Sequence, residues 1–147
     1  MFRTIVVGTD GSETANKAVG QAAELAASVS SELLIVSAFE PVSGSRLREE
    51  SQQVPDDVKW MVNPREDVDA TLAGAIEVAE SKGVTTRTFA RQGDPADAIL
   101  DVAEEEHADL IVVGNKGMTG AKRFLLGSVP NKVSHHAPCS VLIIRTT

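Results

Sequence analysis

Aromatic side chains are nearly missing from this chain of 147 residues: one Trp, four Phe and no Tyr, 3% in all. That is too thin for a surface that stacks nucleic-acid bases. Basic side chains are outnumbered, 14 Lys and Arg against 21 Asp and Glu, for a formal charge of -7 at pH 7. With a pI near 4.9, general binding to a DNA or RNA backbone is not expected. A single cysteine excludes an internal disulfide framework and fits a reducing compartment. The apolar runs are only about a strand long, far short of the ~20 residues of a membrane-spanning helix. The opening MFRTIVVGTD has no basic leader or cleavage site and runs straight into a strand pattern, so a cytoplasmic protein is expected. What remains is 42% hydrophobic with a mean hydropathy of -0.03, enough to build one domain over residues 1–147. The partner left by these exclusions is a small molecule or another protein.

Apolar runs alternate with helical patterns. Thr4-Ile5-Val6-Val7 is a short β-branched run of the kind buried on both faces of a sheet. Ser12 can cap the helix that follows, in which Ala15, Val19, Ala22, Ala23 and Ala26 form a small-residue stripe. Leu33–Ala38 predicts a second strand and Val84–Ala90 a weaker third, with Val84, Thr86, Thr88 and Ala90 on one face. Asp94-Pro95 opens a helix with apolar Ile99, Leu100 and Ala103. Leu110–Val113 and Val141–Ile144 predict strands four and five, joined by a helix over Ser128–His136. Strand–helix–strand repeated in this order implies right-handed crossovers and a parallel sheet with helices on both faces. Glu40–Asp67 breaks the rhythm around Trp60 and Met61, and reads as a lid or a tolerated surface insertion before a helix over Val68–Ser81.

Four glycines punctuate VVGNKGMTGAKRFLLGSVPN, Val112 to Asn131. Glycine in an element interior costs about 0.5–1 kcal/mol against alanine, so the cluster needs a reason. In an open parallel sheet, ligands bind beyond the carboxyl ends of the strands where the strand order reverses. Strand one ends in Gly8-Thr9-Asp10-Gly11-Ser12 and strand four in Gly114-Asn115-Lys116-Gly117; as neighbours, these loops would face each other. Gly114 and Gly117 would admit ribose and phosphates to the main chain. Gly127-Ser128 would open a helix whose N–H groups attract phosphate, with Lys116, Lys122 and Arg123 supplying positive charge. A simple tight turn would account for the first two glycines and leave Gly127-Ser128 and the basic residues unexplained.

The spacing Gly114-x2-Gly117-x9-Gly127-Ser128 resembles the nucleotide-binding pattern of the universal stress protein family. IVVGTDGSE, GDPADAIL, ADLIVVGNKG and GSVPNKVSHHAPCSVLIIR extend the likeness along nearly the whole chain. The resemblance implies a doubly wound α/β fold with a five-stranded parallel sheet of order 3-2-1-4-5. It also implies binding of an adenine nucleotide (ATP, AMP or cyclic AMP), with or without Mg2+, without strong catalysis, in stress response or signalling. By position, Asp10, beside Thr9, matches the acidic residue near ribose, phosphate or metal. Ala38 matches the backbone bordering adenine. Gly114, Lys116 and Gly117, following Val113, match the ribose and phosphate loop, and Gly127, Ser128 and Val129 the phosphate-binding helix start. The family's ATP binders often carry Ser or Thr directly after that valine; here Pro130 offers neither hydroxyl nor N–H. The resemblance further implies a homodimer paired through the C-terminal strand, an apolar edge that needs covering.

Other motifs carry less. Asp10 alone reads as a helix cap, and no acidic pair accompanies it as a phosphoacceptor site would require. His135-His136 point about 100° apart on a helix with no further ligand at metal spacing. Cys139 reads as a small hydrophobe rather than a redox thiol, and Glu104-Glu105-Glu106 as a solvated face. GAKRFLLGS lacks the Lys-Ser/Thr pair of a Walker A loop. No nucleophile–base arrangement is recognisable, so the expected function is binding, with a slow ATP hydrolase and an interaction module with a vestigial pocket as the alternatives.

Overall fold

Ile5, Val6 and Val7 have no exposed surface at all, and the rest of the architecture is arranged to keep them so. The computed structural model describes residues 2–39, 64–115 and 126–146. In chain order these form β1 (Thr4–Gly8), α1 (Glu13–Val29), β2 (Glu32–Phe39), α2 (Pro64–Glu80), β3 (Thr86–Gln92), α3 (Pro95–Glu105), β4 (Leu110–Gly114), α4 (Ser128–His136) and β5 (Ser140–Ile144). The five strands make one parallel sheet in the order β3-β2-β1-β4-β5, as the sequence implies. In register, Val6 of β1 lies between Leu34 of β2 and Ile111 of β4.

Side chains alternate across the pleat, which divides the core in two. Ile5, Val7, Leu33, Ile35, Leu110 and Val112 meet the small stripe Ala18, Val19, Ala22, Ala23 and Ala26 of α1 and Val68, Leu72, Ala75 and Ala79 of α2. Val6, Leu34, Val36, Ile111 and Val113 meet Ala96, Ala98, Ile99, Val102 and Ala103 of α3 and Val133 of α4. Full burial of each Val, Leu or Ile contributes roughly 1.5–3 kcal/mol, and alanine on the helices lets them lie close to the sheet.

Helix boundaries follow local chemistry. Ser12 caps α1 by accepting from Ala15 N–H at 3.2 Å, and Asp94 caps α3 by accepting from Asp97 N–H at 3.1 Å with Pro95 next in line. Two expected boundaries are corrected. The helix expected from Val68 begins at Pro64, a residue suited to a first turn because it has no N–H to lose. The strand expected from Val84 begins at Thr86. Gly83, at φ +75°, turns the chain so that Val84 N–H closes back on Ala79 at 3.4 Å and its side chain plugs the core. Of the excursion expected over 40–67, residues 64–67 are the first turn of α2, and 40–63, with Trp60 and Met61, lie outside the described residues. No helix among the described residues is long and apolar enough to cross a membrane.

The two edges differ. On β3, Arg87 pairs with Glu32 at 2.8 Å and Glu106 at 3.0 Å, Arg91 pairs with Glu105 at 2.7 Å, and both guanidinium groups lie over the Phe89 ring. Charge on an edge discourages further strand pairing. On β5, Leu142 and Ile143 are 40% and 41% exposed.

Asp109, just before β4, accepts Arg3 N–H at 2.8 Å and Thr4 N–H at 3.1 Å and so fastens the start of β1. These two backbone donors hold its carboxyl below the ordinary aspartate range. A depressed folded-state pKa gives stability that is complete above the ordinary value and lost as pH falls through the folded one. Asp109→Ala is therefore expected to lower the thermal unfolding midpoint at pH 7, with the gap to the unmodified protein closing steadily below about pH 4. Thermal melts of both proteins across pH 2.5–7 check this; a gap independent of pH would contradict it.

Candidate functional site

The strand order reverses between β1 and β4, and a cavity opens there beyond their carboxyl ends. It holds ≈ 570 Å³ of empty space when its open mouth is counted. Gly8, Thr9 and Asp10 from β1 and its loop form one side, and Val113 and Gly114 from β4 the other. Val36 and Ala38 of β2, Ala15 and Ala18 of α1 and Ile99 of α3 make the apolar walls. Pro95, Val129 and Pro130 stand at the starts of α3 and α4, while Ser12 and Thr14 add hydroxyls at the start of α1.

The β1 loop is held by its own side chains. Thr9 N–H extends the sheet by donating to Val36 C=O at 2.9 Å. The buried Thr9 hydroxyl oxygen accepts Gly11 N–H at 3.1 Å, and Asp10 Oδ1 accepts Ser12 N–H at 2.9 Å. Gly11 has φ +82°, and a Cβ there would stand 2.9 Å from Thr71 Oγ1, so backbone conformation and space both require glycine. The helix cap is thus Ser12, and Asp10 braces the turn before it.

The opposite side is a helix start with glycine at its cap position. Gly127 is the N-cap residue of α4 and forms no side-chain cap hydrogen bond. Its N–H donates to Asn115 C=O at 3.1 Å, and its C=O accepts Asn131 N–H at 3.0 Å. The first turn therefore presents the N–H groups of Ser128 and Val129, followed by Pro130, which has none and is buried. One cation of this helix is committed elsewhere: Lys132 reaches Asp97 at 2.8 Å and Asp94 at 3.5 Å. The Asp97 bond first, and the Asp94 charge after it, hold the Lys132 ammonium above its ordinary value.

Of the residues singled out in the sequence, Thr9, Asp10, Ala38, Val113, Gly114 and Val129 line this cavity. Gly127 and Ser128 lie directly before Val129, at the start of α4. Lys116 and Gly117, with Lys122 and Arg123, lie outside the described residues. Sequence reasoning missed Ser12, Thr14, Ala15, Val36, Pro95 and Ile99 as lining residues. Ala15 was counted in the buried stripe, which instead uses Ala18. A positional signal finds Ser12, Thr14 and Ala15, because the first turn of the helix that follows switch-point strand β1 faces the crevice; Val36, Pro95 and Ile99 enter from β2 and α3 and carry no such signal. His135 and His136 occupy the last, exposed turn of α4. Cys139 is half-buried against the second core cluster, and burial pushes its thiol up, away from the reactive thiolate.

A model of the universal stress protein family matches residues 1–145. Universal stress protein Rv1636 of Mycobacterium tuberculosis is 38% identical over 99% of this chain and 98% of its own. A crystal structure of a universal stress protein in complex with cAMP is 33% identical, with a TM-score of 0.75 over 99% of this chain and 98% of that one. A universal stress protein from Archaeoglobus fulgidus in complex with dAMP is 25% identical, with a TM-score of 0.68 over 98% of both chains. Together with the five-stranded parallel sheet and its switch-point cavity, these matches mean that the chain belongs to the universal stress protein family.

Proposed function

We propose that this chain binds an adenine nucleotide between β1 and β4 and acts in stress response or signalling by binding rather than turnover. The carrying observation is the cavity itself: apolar walls at the switch point between β1 and β4, ending at a helix start without a side-chain cap. Two relatives of the same fold are complexes with cAMP and dAMP, each an adenine nucleotide with one phosphate. In this reading the base lies beside the Ala38 backbone, the ribose near Gly114, and the phosphate at the N–H groups of Ser128 and Val129. Asp10 is the lining carboxylate that would meet a Mg2+ carried in with the phosphates. Gly127→Val sets a branched side chain at this helix start and is expected to weaken AMP binding at least tenfold, about 1.4 kcal/mol. Calorimetry measures it; an unchanged affinity in a folded variant would remove the phosphate assignment.

Pro130 bears on which nucleotide is preferred. It fills the third position of the α4 turn, so ATP's outer phosphates meet a ring where an N–H and a hydroxyl would otherwise stand. A hydrogen bond to a charged group is worth roughly 1.5–3 kcal/mol. We expect weak or reversed preference for ATP over AMP and cyclic AMP, and Pro130→Thr to raise ATP affinity more than AMP affinity. Titration of both proteins with all three ligands decides; strong ATP preference in the unmodified chain, with no differential gain in the variant, would refute it.

We also propose a homodimer paired along β5. Its exposed Leu142 and Ile143 contrast with the charged β3 edge, and a two-fold axis lets one such edge satisfy its copy. Sedimentation at micromolar concentration should give a dimer for the unmodified protein and a monomer for Ile143→Lys. A variant that stays dimeric would place the interface elsewhere.

A further inference from the structure

Asn115 joins three segments that are distant in sequence. Its N–H donates to Ile144 C=O at 2.8 Å, and its C=O accepts Gly127 N–H at 3.1 Å. Its side-chain Oδ1 accepts both Thr146 N–H at 2.8 Å and the Thr146 hydroxyl at 3.2 Å. Asn115 directly follows Gly114, which lines the cavity, and Gly127 is the N-cap of α4. Thr146 lies beyond β5, is only 4% exposed, and is not among the residues lining the cavity.

A buried hydroxyl and a backbone N–H converging on one amide oxygen fix that amide's orientation. The peptide of Asn115 is held in turn, and with it the carbonyl that anchors Gly127. The Asn115–Thr146 bonds therefore help to place the start of α4, whose later residues Lys132 and Val133 are held by α3 and the core. The base end of the cavity is built from other parts, Val36 and Ala38 of β2 and Ile99 of α3, whose positions do not depend on this clamp.

We propose that Thr146, acting through Asn115, is a positioning residue for the phosphate of the bound nucleotide, although it does not touch the ligand. The inference rests on the nucleotide reading above and adds to it a requirement on residues outside the cavity. A role confined to stability would weaken adenosine and AMP binding alike; a positioning role acts on the phosphate alone.

The test is calorimetry of AMP and adenosine with the full chain carrying Asn115→Ala, Thr146→Val or Thr146→Ser, with circular dichroism to verify folding. Asn115→Ala, which removes the acceptor, should weaken AMP at least tenfold while adenosine affinity stays within about twofold. Thr146→Val keeps the N–H bond and should cost roughly threefold for AMP alone; it carries the test if Asn115→Ala does not fold. Thr146→Ser keeps both donors and should bind as the unmodified protein does. Unchanged AMP affinity in the folded Asn115→Ala or Thr146→Val protein, or equal losses for AMP and adenosine, would overturn the clamp and leave the nucleotide reading standing. Failure of the unmodified protein to bind AMP would overturn both.

Discussion

A strand with no solvent-facing side has to be covered on two faces and two edges at once, and β1 is that strand. Its three central residues are fully buried, so β2 must flank one edge and β4 the other. The chain builds outward to β3 on one side, then returns across the sheet to start β4 on the other. That return puts α1 and α2 over one face and α3 and α4 over the opposite one. It also sends α1, which follows β1, and α4, which follows β4, to opposite faces. The cavity is a consequence of burying Ile5, Val6 and Val7, and the proposed ligand site is where the packing solution leaves a gap.

The gap is kept open by rigid parts. The β1 loop is stiffened by Thr9 and Asp10 through bonds to Gly11 and Ser12, so their main chain does not sag into the cavity. Across from it, Gly127 and Asn131 close the first turn of α4, and Lys132 ties that helix to the start of α3 through Asp97 and Asp94. These ion pairs are exposed and individually weak. Their value is geometric: α4 is held to the start of α3 where both helices border the cavity.

Much of this was legible because strands buried on both faces and well-capped helices leave strong local signals. The bounds of α4, Ser128–His136, match the structure residue for residue, since Gly127 and Ala137 mark its ends in glycine and in the loss of polar periodicity. Asp94-Pro95 announced α3 equally plainly. The edge strand β3 was legible only roughly, because its alternation of Thr, Arg and Phe has one charged side and its preceding Val84 belongs to the core without belonging to the ladder. The cavity was legible where glycine marks close approach, at Gly114. It was illegible where ordinary apolar residues serve it: Ala15, Val36 and Ile99 carry the same local signal whether they face a helix or a ligand. Asn115 was silent too, because its partner Thr146 is 31 residues away and only the fold brings them together.

Gly8 shows how such silence works in the other direction. A Cβ at this position would fall on Ile99 Cδ1 and stand 3.0 Å from Ile99 Cγ1, and Ile99 is a 3% exposed core residue of α3. Helix-on-strand packing thus favours glycine here before any ligand is considered, since a larger residue has to push the tip of Ile99 aside. A descendant of this chain with nothing in its cavity would meet the same packing at position 8. Glycine there is therefore a mark of the shared architecture and not of a ligand.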